Sequence, residues 1–211
     1  NAYIAMAVSY MSMLDGILYA VNNNKTEEDL LKELSKQYGE DSDYLEKNRS
    51  YRSEDDVFED FTEEERNKMY GTAPATIYEN LSALDKYPEK INVLKRNDVL
   101  TDQLINSFKM ATLQRWCTEI GNRIINKYTH EIRNFKPLHS LDKALDLDVS
   151  NWMKINELRH YIMKDSYTSK SLFTRIKSAF IDEDYSSASK LYLELESKME
   201  ELRNLYSSYK K

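Results

Sequence analysis

Residues Asp102 to Arg133 read DQLINSFKMATLQRWCTEIGNRIINKYTHEIR, and this stretch decides the fold. It holds no proline and a single glycine, Gly121, and Thr101 stands in front of it as a helix cap. Leu104, Phe108, Trp116, Ile120, Ile124, Tyr128 and Ile132 recur at multiples of four, and Ile105, Leu113 and Ile125 widen the row. That period and width predict one long core-facing helix, about 102–133, spanning roughly 45 Å. Gly121 marks a point of local weakness and bending. Pro137 closes the stretch, because the residue before a proline is driven away from helical angles.

The rest of the chain is as poor in breakers. Only Gly16, Gly39, Gly71, Gly121, Pro74, Pro88 and Pro137 punctuate it. A sheet protein needs a turn every ~8–12 residues, most of them supplied by Gly and Pro. The chain therefore reads as all-α: an irregular multi-helix bundle with the central helix at about 102–133 and a long C-terminal helix at about 185–209. No two glycines lie close enough to form a dinucleotide fingerprint or a phosphate loop.

Each remaining helix has its own start or stop signal. Ala2 to Val21 is strongly apolar, with Ile4, Val8, Met11, Leu14 and Leu18 at helical spacing. Ser9, Ser12, Asp15 and Gly16 interrupt it, and it carries no basic leader, so it is expected as a buried core helix rather than a membrane span. Thr26 opens a helix predicted to run to Tyr38 and stop at Gly39. A short helix is expected near Tyr44, and Ser53 is placed as the cap of a helix over 54–61. Thr62-Glu63-Glu64-Glu65 is a capping box whose helix ends at Gly71. Pro74 and Pro88 suit the first turns of the next two helices. Three more follow: one from Ser140 or Ser150 through Ile162, one after Ser169, and one after Asp184. In the last, Ala188, Leu191, Leu195, Met199, Leu202, Tyr206 and Tyr209 step by three and four, close to a heptad. Such a row serves either antiparallel packing inside the bundle or a seam with another chain.

Charge is unevenly distributed. Glu27 to Glu65 holds 16 acidic and 5 basic residues, a balance of −11, whereas Arg66 to Lys211 holds 24 basic and 19 acidic, a balance of +5. We read a single helical domain over 1–211, with a soft boundary near 66–74 between an acidic part (27–65) and a mildly basic remainder. The acidic stretch is either a solvated face or a docking surface for a basic partner. Overall acidity argues against broad nucleic-acid binding, although basic and aromatic residues interleave between Lys86 and Arg133. The lone Cys117 cannot form an internal disulfide and suits a reducing, cytoplasmic setting. The sequence carries no leader for a metal or cofactor site. His130-Glu131 lacks the second histidine of a zinc-protease helix, and Glu157/His160 is the sole Glu-x-x-His pair.

One motif carries a candidate chemistry. Arg133-Asn134-Phe135-Lys136-Pro137-Leu138-His139 resembles the signature of HEPN-type helical ribonucleases: an arginine, a polar residue, then a histidine a few positions on. The resemblance implies a dimeric helical bundle that cleaves RNA without a metal. It implies His139 as general acid/base, Arg133 as holder of the scissile phosphate and Asn134 as the residue that orients the histidine. Arg123, Lys127 and Lys136 would then attract phosphate.

With no other catalytic pattern in view, the sequence leads to a non-enzymatic helical interaction protein: an adaptor, scaffold or regulator. Its expected contacts are the acidic 40–65 surface or Leu191, Leu195, Met199, Leu202 and Tyr206 of the last helix, with a protein partner or a second copy. The alternatives are the ribonuclease and a structural component of a larger assembly, a viral one included.

Overall fold

The protein is all-α in the computed structural model, which describes residues 2–42, 45–140, 142 and 145–210; no strand occurs among them. The helices are α1 (Ala2–Asn22), α2 (Glu27–Leu34), α3 (Glu63–Tyr70), α4 (Ile77–Lys86), α5 (Pro88–Leu94), α6 (Asp102–Thr118), α7 (Ile125–Asn134), α8 (Asp146–Met163), α9 (Leu172–Ile181) and α10 (Tyr185–Tyr209). Contacts divide the chain into two compact units, Asn1–Pro74 with Lys86–Asp102, and Ala75–Asp85 with Gln103–Lys211.

The second unit owns the apolar core. The stretch 102–134 is helical throughout, but Glu119–Ile124 between α6 and α7 is wound as a π turn. A π turn accommodates one extra residue. The buried row accordingly steps by five there: Trp116 and Ile120, then Ile125, Tyr128 and Ile132, with Ile124 half-buried. The multiples-of-four row therefore changes register at Gly121. The expected core face also fails at its N-terminal end, where Leu104 and Phe108 are exposed. α10 packs on α8 and α9. Ala188, Leu195, Met199 and Leu202 are fully buried there with Ile155, Ile162, Leu172 and Ile176. A buried Thr76–Ser189 hydroxyl pair at 2.7 Å fastens the N-cap of α4 to α10.

Caps explain most of the boundaries. Thr26 and Asp29, then Thr62 and Glu65, form reciprocal capping boxes, and the bonds they make hold both carboxyls below their ordinary range. Pro88 stands in the first turn of α5, and Asp184 and Ser171 cap α10 and α9. Other boundaries move. α2 stops at Leu34 rather than Tyr38, because Lys36 is drawn inward and donates from Nζ to the carbonyls of Glu40 (3.2 Å) and Lys47 (3.0 Å). No helix forms over 54–61. Ser53 accepts from the Asp55 amide and Asp56 from the Phe58 and Glu59 amides, and these local bonds make turns instead. α4 begins at Ile77, after Pro74, because Thr76 accepts from the Glu79 amide as the cap. α8 begins at Asp146, between the two expected serines. The short helix expected near Tyr44 falls at Asp43 and Tyr44, outside the described residues.

The largest correction concerns α1. It forms over the expected residues but contains no buried residue. Its unit holds no buried apolar side chain among the described residues; Lys36 and Ser50 are the side chains buried there.

Candidate functional site

α1 packs on α5. Ile4, Val8, Met11, Asp15 and Tyr19 make its half-buried face. Asp15 reaches Arg96, just beyond α5, at 3.3 Å. At 100° per residue, Tyr3, Met6, Tyr10, Met13, Ile17 and Val21 fall on the opposite side. All six are exposed, Tyr3 by 82% and Val21 by 65%, and Leu14 and Leu18 flank the row. The serines beside it present no free donor, since Ser9 and Ser12 return their hydroxyls to the Ala5 and Val8 carbonyls at 3.0 Å each. At its C-terminal end α1 is tied to α2. Tyr19 Oη donates to Glu33 (3.0 Å), and Lys25 pairs with the same carboxylate at 2.5 Å. α2, which follows the C-terminal end of α1, carries the exposed first-turn acids Glu27 and Glu28 and the exposed Leu31 and Leu34. α1 is also the one helix among the described residues long and apolar enough to cross a membrane by length and composition.

The HEPN-like residues are placed differently. Arg133 and Asn134 close α7, and His139 lies past Pro137 in irregular backbone. All three are exposed, and no hydrogen bond or ion pair joins their side chains to one another among the described residues. The residues between them are clamped to α10. Tyr206 Oη accepts from the Lys136 amide and donates to its carbonyl (3.3 Å each), and Tyr209 Oη accepts from Leu138 N at 3.1 Å. Phe135 lies against the Tyr206 ring at 4.5 Å. The motif thus carries a strap holding the end of α7 to α10.

The other candidates are also engaged structurally. Leu195, Met199 and Leu202 are core, and Leu191 and Tyr206 are half-buried against it, so this row is spent within its own unit. Tyr128 donates to the Glu196 carboxylate (2.8 Å), while burial and the same carboxylate push the Tyr192 phenol up to about 12. Tyr128 is thus the phenol that holds Glu196 as a donor. Glu131 lies in a two-point pair with Arg203 (2.6 and 2.9 Å). Half-buried Cys117 has its thiol pushed up by desolvation, away from a reactive thiolate. Among the described residues no group of three or more His, Cys, Asp or Glu gathers to hold a metal. Compared with family models, curated proteins and solved structures, the chain matches none.

The sequence did signal the α1 surface, since its apolar content and helical period are plain. What it lacked was any sign of how little of the chain would cover that helix.

Proposed function

We propose that this chain is a non-enzymatic protein-interaction module whose docking surface is the outer row of α1. The observation that carries the reading is that row, borne by a unit with no buried apolar side chain among its described residues. Apolar area left in water forfeits about 25 cal/mol per Å², so a partner that covers the row gains what the unit itself does not. A contiguous row also differs from scattered exposed hydrophobics, which are ordinary on any surface.

The reading moves the contact away from the last helix, where Leu195, Met199 and Leu202 already serve the core. It leaves the acidic turns as a flank rather than the anchor, because several of their carboxylates are occupied with backbone amides.

Site-directed photo-crosslinking in cells tests it. A crosslinker at Met13 is expected to trap protein. One at Ile181, more exposed than Met13 but alone at the end of α9, is expected to trap little. Equal trapping at both positions, or none at Met13, would overturn the assignment.

A further inference from the structure

Resting on that reading, we propose that the segment docking on α1 is a basic amphipathic helix of a protein partner. The row itself has the spacing of a helix-docking ridge. Tyr3, Met6, Tyr10, Met13 and Ile17 advance by three and four over four turns, the spacing that lets another helix lay its apolar ridge alongside. The unit around it is acidic. The unit carrying α1 has 20 acidic and 12 basic residues, a net −8. Glu27 and Glu28 stand in the first turn of α2, which follows the C-terminal end of α1. The row supplies contact area, and the unit's net negative charge favours a cationic partner and speeds its approach.

The same charge disfavours the two other occupants. A second copy would bring one net −8 unit against another. An anionic bilayer surface repels that unit, and full insertion of α1 would strip Asp15 from Arg96 into hydrocarbon.

The test uses the full chain and two synthetic peptides of about five helical turns. Both carry leucine at the a and d positions of a heptad, one with lysine and the other with glutamate elsewhere. In fluorescence anisotropy the Leu/Lys peptide is expected to bind at least about ten-fold more tightly than the Leu/Glu peptide. Raised salt should weaken it, M13D/I17D should cost at least about ten-fold, and I181D should change nothing. Circular dichroism checks that the α1 variant stays helical. Equal affinity for the two peptides, with both lost in M13D/I17D, overturns the basic partner and leaves the docking surface standing. Leu/Lys binding that ignores M13D/I17D overturns both. A dimer by light scattering that M13D/I17D dissociates assigns the row to a second copy. Co-flotation with anionic vesicles, without peptide binding, assigns it to lipid. Either result overturns the proposal.

Discussion

α1 and α10 are both long helices whose apolar residues step by three and four along one side. The series are Tyr3, Met6, Tyr10, Met13 and Ile17 in α1, and Ala188, Leu191, Leu195, Met199 and Leu202 in α10. In α10 that side is closed by α8 and α9, and Leu195, Met199 and Leu202 are 0% exposed. In α1 the other face packs on the seven-residue α5, and the row stays exposed. Periodicity states which residues share a face. Whether the face becomes core depends on how many other apolar faces its own unit can bring to it. The unit of α10 has five further helices from α4 and α6 to α9, with Trp, Ile and Phe to spare. The unit of α1 spends residues 35–42 and 45–62 on non-helical turns and loops.

The strongest way to break this comparison is to cut into each row in turn. Leu195→Ala leaves a cavity at a fully enclosed position and is expected to cost 2–5 kcal/mol, read as a lowered urea midpoint. Ile17→Ala, at an open position, should stay within about 0.5 kcal/mol. Equal losses would mean that α1 is enclosed in solution.

Gly71 probes the coreless unit through its backbone. It ends α3 at φ 79°, ψ 163°, a region that essentially only glycine enters. Gly71→Ala is expected to cost about 1–3 kcal/mol. The loss should appear as faster amide exchange in α3, with α8 to α10 unchanged. Uniform loss across the chain would show that the two units melt as one.

How far the sequence carried the reading follows the same division. The all-α class, the continuous helix over 102–134 and the limits of α10 were legible, because breaker scarcity and caps act locally. The π turn was not. Gly121 marked the place, but an extra residue in one turn emerges only when Trp116 and Ile125 must both reach the core. The turns at 54–61 were misread because a serine or aspartate that can cap a helix can equally close a turn, and the choice is made by what packs next. Leu104 and Phe108 followed the helical period faithfully, yet both stay exposed at that end of α6. The candidate surface was half legible: the α1 row was visible in the sequence, its exposure was not. Arg133 and His139 were close in sequence, yet Pro137 and the tyrosine clamps give the intervening residues a structural task.

Acid separates the units more gently. In the core unit Arg203 holds the Glu131 carboxyl below its ordinary 4.5. The lowered folded value means that this pair stabilises above about pH 4.5 and that its contribution fades as pH falls through the lowered value. Glu131→Gln is therefore expected to lower stability at neutral pH and to flatten its decline below pH 4.5. A decline just as steep in the variant would show that other carboxylates govern acid unfolding.

The smallest expected effect is a gain. Gly121 sits inside the π turn, its φ is not in the positive region, and a Cβ placed there meets nothing within 4 Å. A glycine in such a place costs helix stability through the freedom it loses on folding, about 0.5–1 kcal/mol against alanine. Gly121→Ala is thus expected to raise Tm by a few degrees, about 2–4 °C per kcal/mol for a chain of this length. The sign is what matters for the comparison. If the π turn is only the route by which Ile120 and Ile125 both reach the core, alanine keeps that step and the unit becomes more stable. A loss instead would mean that the turn needs glycine's freedom to shift register, making the one irregular point of the central helix a moving part of the core unit.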